Sequence, residues 1–406
     1  MKRHTILSVF LCMCLTSVAL AQKSPRYTVT DLGTLGGTFS IAYGVSNTGW
    51  VKGFATLPRD RAEHAVLWGI GVKTDLGTLG GRNSFAYGTV NDSGDAVGAS
   101  ETSTKDPLRE DYCGFSTGTN LTCLPFFWGN DIQEMIALPT LGGNNGFASG
   151  INDLDEVAGQ AENTTIDTTC PYTALQNLPV IWKKGQVQEL PTFPGDPDGA
   201  AWAINDQGHV AGNSGNCTEQ FHALLWQNGT AIDLGNLGGT TNNVVFGINN
   251  RTQIVGYSNL PGDATYDAFL WQKTTGMSDL GTLPGDVSSG AFGINSAGHV
   301  VGGSVDASDN ERAFLWKNGV MTDLNTLIPP NSPLYLLEAD GINDWGQIVG
   351  LAYQNSTGDF HAFLANPTRE QWAISERPKV VLPENARKLL QQRRNGRFGV
   401  GLKGPQ

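Results

Sequence analysis

The chain has 406 residues, of which 52 are glycine and 16% are charged, and its formal net charge is −12. The charge is uneven, because residues 1–21 carry +2, residues 22–366 carry −20 and residues 367–406 carry +6. An acidic body of this kind excludes nucleic acid as its partner, since phosphates require a basic surface. Abundant glycine together with Thr, Val, Trp and Phe favours short strands and tight turns over helices.

The N-terminus has the pattern of a secretory signal peptide. Lys2 and Arg3 precede an apolar run from Ile6 to Ala21 that ends in Ala-Leu-Ala, which predicts cleavage between Ala21 and Gln22. A membrane anchor is the alternative, but the run is short and has no stop-transfer flank. No second apolar stretch is long enough to cross a membrane. We therefore expect residues 1–21 to be removed and the protein to be secreted or periplasmic, with no integral membrane segment.

A seven-residue phrase, Asp-Leu-Gly-Thr-Leu-Gly-Gly in its first copy, recurs seven times in residues 22–366. Successive copies start 44 to 62 residues apart, at Asp31, Asp75, Ala137, Glu189, Asp233, Asp279 and Asp323. Each copy contains four short apolar runs separated by turn residues, with no helical periodicity. Seven repeats of four strands predict an all-β fold, a seven-bladed β-propeller.

The two ends of the repeat region complement each other. The seventh copy stops after His361–Leu364 and lacks a fourth strand, whereas Tyr27–Thr30 occupies a fourth-strand position before the first phrase. We expect the N-terminal strand to pair beside His361–Leu364, because this closes the ring and removes exposed sheet edges.

The segments Phe221–Trp226 (FHALLW) and Phe360–Leu364 (FHAFL), together with the Leu-Gly-Thr-Leu-Gly-Gly phrase, resemble the HAF-type repeats of bacterial extracellular proteins. The resemblance covers about residues 27–366. It implies secretion from a bacterium but brings no established activity and no catalytic residues. The histidine is present in three copies only, at His64, His222 and His361.

Residues that recur in most copies are best explained by the blade itself. A tryptophan ends the third strand of six copies, and we expect its ring to pack between sheets with the indole N–H near a polar partner. A row of sugar-stacking rings is the alternative. The Asn-Asp-x-Gly turns fit tight-turn chemistry, with calcium binding as a rival reading. The nearest approach to a calcium loop is Asp196-Pro197-Asp198-Gly199, and no other cofactor or metal is expected.

Topology divides the ring into two faces. The second loop of each blade and the crossovers lie on one face, which we call the long-loop face, and the short Asn-Asp-x-Gly turns lie on the other. The four cysteines of residues 22–366 fall in second loops, and we predict the pairs Cys113–Cys123 and Cys170–Cys217. We expect ligands on this face, because variable loops on a rigid scaffold carry function. The candidate ligand-binding residues are Tyr112, Phe115, Tyr172, Asp196 and Asp198. The alternative for the aromatic residues is that they cover one another and the disulfides.

The innermost strands offer one further candidate. Each innermost strand contains a Gly or Ala, and the residue before it is aromatic in five copies. In the other two copies this residue is Ser149 or Asp340. Asp340, with Glu338 nearby, is the candidate for a catalytic acid near the channel, but a general acid/base pair needs a second carboxylate. Degeneration of the last repeat is the alternative.

The basic tail, residues 367–406, is separate from the repeats. Residues Pro383 to Arg394 fit one short helix, and the tail is expected to be solvated or to dock on the acidic body. From these observations we expect a monomeric, non-enzymatic binding or scaffold propeller that recognises an extracellular polysaccharide or protein. The alternative is a secreted glycan-processing hydrolase or lyase that uses carboxylates on the same face, although no catalytic motif is present.

Overall fold

The computed structural model describes residues 26–69, 71–115, 118–170, 174–219, 222–370, 380–384, 386–388 and 390. The predicted signal peptide, residues 1–21, lies outside them. Among the described residues, no helix is both long enough and apolar enough to span a bilayer.

The described chain forms seven four-stranded antiparallel sheets, which confirms the predicted seven-bladed β-propeller. Blade one consists of β2 (Ser40–Val45), β3 (Val51–Thr56), β4 (Glu63–Gly69) and β5 (Val72–Asp75). Blade two consists of β6 (Gly80–Ala86), β7 (Ala96–Lys105), β8 (Leu121–Gly129) and β9 (Glu134–Ala137). Blade three consists of β10 (Gly146–Ile151), β11 (Val157–Ile166), β12 (Leu175–Lys183) and β13 (Gln186–Glu189). Blade four consists of β14 (Asp198–Ile204), β15 (Val210–Gly215), β16 (His222–Gln227) and β17 (Thr230–Asp233). Blade five consists of β18 (Asn243–Ile248), β19 (Ile254–Asn259), β20 (Tyr266–Gln272) and β21 (Gly276–Asp279). Blade six consists of β22 (Ser288–Ile294), β23 (Val300–Val305), β24 (Glu311–Lys317) and β25 (Val320–Asp323). Two 3-10 helices cover Pro58–Asp60 and Leu324–Thr326.

The seventh blade joins the two ends of the chain. It consists of β26 (Leu334–Ile342), β27 (Ile348–Gln354), β28 (Phe360–Thr368) and β1 (Arg26–Asp31). In the antiparallel pairing of β1 with β28, Thr30 lies opposite Leu364, which is the closure expected from the sequence. Tyr27 is buried in the core of this blade, and its N–H donates to the carbonyl of Leu327 at 3.0 Å.

The repeated glycines and tryptophans hold the blades together. A Cβ atom at Gly53 would collide with the carbonyl oxygen of Ile41 on the neighbouring strand, which explains why this position is glycine. The tryptophan side chains of the first five blades are buried. The indole N–H groups of Trp68, Trp182 and Trp226 donate to backbone carbonyls of the preceding crossover at 2.7–3.1 Å. The packing interpretation of these tryptophans therefore agrees with the structure.

The Asn-Asp-x-Gly turns do more than reverse the chain. The first Asn side chain of one turn donates to the corresponding backbone carbonyl in the next blade, as Asn205 does to Asn249 at 3.0 Å and Asn343 does to Ser46 at 2.8 Å. The following residue adds a second contact between blades, as when the Asn47 N–H donates to the Asp92 carboxylate at 2.8 Å. These turns thus form a belt of hydrogen bonds around the axis, opposite the long-loop face.

Candidate functional site

Two disulfides fix the extended loops of the long-loop face, and both have the predicted pairing. Cys113–Cys123 closes the second loop of blade two, with its Cα atoms 6.0 Å apart. Cys170–Cys217 ties the second loops of blades three and four together, with its Cα atoms 5.6 Å apart. These loops are therefore a cross-linked part of the scaffold.

Two of the loop aromatic residues that were predicted to contact a ligand are buried. Tyr112 is 2% exposed and Phe115 is 5% exposed, and both pack in a cluster with Phe147 and Trp202. The Tyr112 hydroxyl donates to the side chain of Asn177 at 2.8 Å. Both rings fill the space beneath the loops, which agrees with the alternative that the loop aromatics cover one another and the disulfides. Tyr172 lies outside the described residues.

Beneath the loops, one buried glutamate in blade two and one in blade three accept hydrogen bonds from an asparagine of the innermost strand. In blade three, Glu162 Oε2 accepts from the backbone N–H of Asn145 at 2.9 Å and from its side-chain amide at 3.2 Å. In blade two, Glu101 holds Asn83 in the same way, at 2.9 Å for both contacts. The two long copies therefore share a buried Glu–Asn pair, which is a supporting element of the scaffold.

A second acid follows each of these glutamates by five residues and begins the long loop. Asp106 accepts from the Leu108 N–H at 2.7 Å, and Asp167 accepts from the Thr169 N–H at 2.8 Å. The Asn145 side-chain amide also donates to Asp106 at 2.9 Å. Sequence reasoning missed these acids, although the shared Glu-x-x-x-x-Asp spacing of copies two and three is a signal that could have identified them.

Five buried carboxyl groups thus lie under the disulfide-linked loops, and three of them, Glu110, Glu162 and Asp198, lie near the hydroxyl group of Tyr112. All five are 1–4% exposed: Asp106, Glu110, Glu162, Asp167 and Asp198. Burial, followed by the charges of Glu162 and Asp106, raises the pKa of Glu110 to about 9. Burial likewise raises the pKa of Glu162 to about 7 and that of Asp198 to about 8, the latter with the neighbouring Asp167 as a further cause. Burial also raises the pKa of Tyr112.

The two aspartates of the suspected calcium loop point to different partners. Asp196 accepts from the Ser214 hydroxyl at 2.5 Å and contacts His222 Nδ1 at 2.8 Å, and this imidazole stacks on Phe193. Asp198 instead turns inward, where its Oδ1 accepts from the Asn177 N–H at 2.8 Å. Asp196 therefore belongs to a partly buried contact with His222, and Asp198 belongs to the buried carboxyl cluster.

One group of ligand-type atoms lies within metal-binding range in the described part of the chain. Carboxylate and sulfur atoms of Asp167, Cys170 and Cys217 lie within 4.8 Å of one another. Because the two cysteines form a disulfide, they offer no thiolate, and thiolates are the form in which cysteine binds metal. Only the carboxylate of this group is a strong metal ligand in the oxidised protein.

The inner-strand aromatics line a cavity of about 100 Å³ on the propeller axis, as expected from their repeated position. The rings of neighbouring blades contact one another, with centroids 4.6 Å apart for Tyr43 and Tyr87 and 5.3 Å apart for Phe246 and Phe292. Asp340 is 4% exposed and lines the same cavity. Of the described residues around this cavity it is the single carboxylic acid, and Glu338 does not line it.

Part of the basic tail covers the long-loop face near the axis. Residues 384, 386–388 and 390 are helical, within the helix predicted for Pro383 to Arg394. Leu382, Ala386 and Leu390 are buried against side chains of blades one and seven. The Leu382 N–H donates to Asn310 at 3.3 Å and Arg387 donates to the Ser308 carbonyl at 2.8 Å, both in the second loop of blade six. This segment therefore docks on the body.

In blades one and seven the repeated histidine contacts the aspartate of the seven-residue phrase, whereas His222 of blade four contacts Asp196 instead. His64 Nδ1 lies 2.8 Å from Asp75, and His361 Nδ1 lies 2.8 Å from Asp31. In blade six Arg312 replaces the histidine and contacts Asp323 at 3.1 Å. The two most conspicuous polar residues of the repeat are thus structural partners, a pairing that the sequence analysis did not identify.

No protein-family model matches the chain, and no curated protein matches it. Similar solved structures include an oligogalacturonate lyase in complex with manganese, which is 13% identical with a TM-score of 0.50 over 86% of this chain and 95% of the lyase. A gluconolactonase from Xanthomonas campestris is 10% identical with a TM-score of 0.38 over 75% of this chain and 90% of that chain. A puromycin-hydrolyzing peptidase of Mycobacterium tuberculosis is 11% identical with a TM-score of 0.43 over 84% of this chain, which spans 56% of the peptidase. At these identities the likeness concerns the fold alone.

Proposed function

We propose that the protein is an exported, non-enzymatic binding propeller that recognises an extracellular protein or polysaccharide through its long-loop face. The observation that carries this proposal is the distribution of acids on that face. The second loop of every blade contains at least one acidic residue, represented by Asp60, Asp106, Asp167, Glu219, Asp263, Asp309 and Asp359. Asp106, Glu110 and Asp167 are buried, and Arg59 and Arg61 flank Asp60 in the loop of blade one. The negative charge presented to a partner therefore comes mainly from blades four to seven.

The charge of this face indicates the chemistry of the partner. Asp60 and Asp309 are exposed, and Glu219, Asp263 and Asp359 are half-buried. Residues 22–366 carry 35 acidic and 15 basic side chains. A field of one sign steers a partner of the opposite sign and makes association sensitive to salt. A basic protein or an amino-sugar polysaccharide is therefore the partner that this face favours.

Export and membership among the HAF-type repeat proteins belong to the same proposal. The pattern of residues 1–21 and the two disulfides support export, because disulfides persist in oxidising compartments. The contacts of His64 and His361 give the repeated histidine a structural role, which is consistent with a family label that carries no catalytic residues. A ring closed within one chain supports a monomer, since its seventh sheet needs no strand from a second copy.

A glycan-processing enzyme is the second candidate, and one observation favours it. Raised pKa values such as those of Glu110 and Asp198 are typical of general acids. However, both residues are at most 4% exposed, and a general acid must come within hydrogen-bond reach of its substrate. Asp340 lacks a second acid in its cavity. Neither place therefore offers a substrate-accessible pair of carboxyl groups, which glycoside hydrolysis requires.

An array of extracellular glycans, followed by product analysis of each bound glycan, separates the two candidates. We expect the protein to retain amino-sugar glycans without releasing any product. Retention should weaken as the salt concentration rises from 50 to 500 mM, because salt screens the attraction between charges that lie more than roughly 10 Å apart near 0.1 M. Released oligosaccharides that disappear in the Asp340→Asn variant would contradict the non-enzymatic proposal and support the alternative.

A further inference from the structure

Aromatic rings surround most of the cavity on the propeller axis. Successive rings have centroids 4.6 to 6.4 Å apart in one continuous series of contacts, which runs through Tyr43, Tyr87, Trp202, Phe246 and Phe292. The series passes over blade three, where the residue at this position is the small Ser149. All five rings line the cavity, so they form a wall around the axis from blade one to blade six.

Blade seven contributes Asp340 at the remaining position, between the blades of Phe292 and Tyr43. Asp340 is 4% exposed, and the described residues that line the cavity include no lysine, arginine or histidine. A cation in this cavity would therefore meet one carboxyl group and five aromatic rings without meeting a like charge. The faces of aromatic rings attract cations, most strongly for tryptophan, and the attraction increases when the cation is removed from water.

Trp202 offers a further polar contact. Its side chain is 2% exposed, and its indole N–H has no hydrogen-bond partner among the described residues. Buried indole N–H groups usually have a partner, and an oxygen atom on a bound ligand would provide one.

The size and the lining of the cavity restrict the kind of cation. A cavity of about 150 Å³ holds benzene, so a volume of about 100 Å³ suits a compact group of a few heavy atoms. Calcium requires six to eight oxygen ligands, and an unmethylated ammonium group requires acceptors for its three N–H donors. The side chains between the rings and the solvent are mainly aliphatic, as are those of Val90, Ile248 and Ile294. A methylated ammonium group fits this lining best, because it is held by rings and needs few acceptors.

The cavity is reached from the face that carries the Asn-Asp-x-Gly turns. Each innermost strand runs toward these turns, and the lining residues Val45 and Ile342 directly precede the first residue of a turn. Thr89 lines the cavity and is exposed. At the other end, Tyr43 packs against the apolar cluster that the docked tail segment covers. A ligand would therefore enter opposite the long-loop face.

We propose that the axial cavity binds a small organic cation with a methylated ammonium group, such as choline. The five rings hold the methyl groups, and Asp340 supplies the opposite charge. This site is separate from the long-loop face and does not depend on the function proposed for that face.

The test is isothermal titration of the disulfide-intact chain at constant ionic strength. The titrants are choline and dimethylbutanol, its uncharged isostere in which a carbon atom replaces the nitrogen. We expect choline to bind with a dissociation constant of about 1 mM or lower and the isostere to bind at least about tenfold more weakly. Equal affinities would show an apolar cavity without cation recognition, and absence of choline binding at about 20 mM, about twenty times this constant, would also overturn the proposal. A peptide with trimethyllysine is the third titrant, and its tighter binding would overturn the assignment to a small free cation.

Three variants locate the site, with thermal unfolding as the check that each is folded. Asp340→Asn keeps the size of the side chain but removes its charge, and it should weaken choline binding at least about tenfold. Glu338→Gln is the matched control, because it makes the same change on β26 outside the cavity, and it should leave choline binding unchanged. Phe246→Leu keeps an apolar side chain but removes a ring, so it should reduce the preference for choline over the isostere. Wild-type choline binding in Asp340→Asn, or an unchanged preference in Phe246→Leu, would refute the site.

Discussion

His361 Nδ1, in the last strand of the propeller, lies 2.8 Å from a carboxylate oxygen of Asp31, in its first strand, although 330 positions separate the two residues. The same pair, His64 with Asp75, forms within blade one over 11 positions. The closing blade therefore uses the side-chain contact of the other blades but assembles it from opposite ends of the chain. This makes the contact a local reporter of ring closure.

We expect the His361→Ala variant to lose stability in a pH-dependent way. Burial acts to raise the pKa of Asp31, but hydrogen bonds from His361 and Gly33 outweigh it and lower the pKa below its ordinary value. The stabilisation by ionised Asp31 is thus complete above the unfolded pKa of about 3.9 and is lost as the pH falls through the lower folded pKa. Urea unfolding should show a loss of about 0.5–1 kcal/mol in the variant at pH 6 and a smaller loss at pH 2.5.

The His64→Ala variant is the matched control for this experiment, because the pKa of Asp75 is lowered by the same kind of contact. Its loss of stability should depend on pH in the same way, although the two residues of this pair lie close together in the sequence. A loss that is equally large at pH 2.5 and pH 6 in His361→Ala would mean that the histidine acts through packing and not through Asp31.

Ring closure depends on the buried face of β1. Tyr27 is 2% exposed in the core of blade seven, whereas the neighbouring Thr28 is exposed. We expect Tyr27→Ala to cost about 3–5 kcal/mol, as for other buried aromatics, and to increase hydrogen exchange along Phe360–Thr368. Thr28→Ala should change the free energy of unfolding by less than about 0.5 kcal/mol. Equal and small effects of both substitutions would show that β1 does not stabilise the ring.

The two disulfides should contribute unequally to stability. Cys170–Cys217 closes a segment of 47 positions and Cys113–Cys123 closes one of 10. Chain entropy then gives about 4 kcal/mol for the first and about 3 kcal/mol for the second. Guanidinium unfolding of the two double Cys→Ser variants should therefore rank the Cys170/Cys217 variant as the less stable. The reverse order would show that the local loop around Cys113 carries more native interactions than its length implies.

The docked tail segment offers two adjacent residues with opposite environments. Leu382 is 1% exposed and Val381 is 73% exposed. Leu382→Asp should release the segment, uncover the apolar cluster around Tyr335 and Phe360 and increase binding of a hydrophobic dye. Val381→Asp should do neither, because the side chain already faces solvent. Dye binding that is unchanged in Leu382→Asp would contradict the docking of this segment.

The sequence was sufficient for the ring because every blade repeats the same turns at a regular period. Even the closure of blade seven was predictable, since the missing strand after Leu364 has its counterpart at Tyr27. The site was harder to predict. Asp167 and Asp198 belong to different blades and lie 31 positions apart, and only the fold shows that they meet. Tyr112 carries no sequence signal for burial, because a loop aromatic is as compatible with exposure as with packing beneath a disulfide.

The tail illustrates an intermediate case. Leu382, Ala386 and Leu390 follow one another at intervals of four residues, which is the spacing of an apolar helix face. This spacing predicts that the helix packs against something, but the basic residues between them favoured a solvated tail. The partner surface on blades one and seven is visible only after the ring is assembled.

Binding through the long-loop face is the central claim, and the most direct test compares two pairs of charge neutralisations. One variant combines Asp309→Asn with Asp359→Asn on the long-loop face. The other combines Asp131→Asn with Glu134→Gln, two exposed acids at a short turn on the opposite face. Affinity for chitosan oligosaccharides and for a lysine-rich peptide is measured at 50 and 150 mM salt. The account predicts at least about fivefold weaker binding for the first variant, about 1 kcal/mol, and an unchanged affinity for the second. Equal losses, or a loss confined to the second variant, would contradict it.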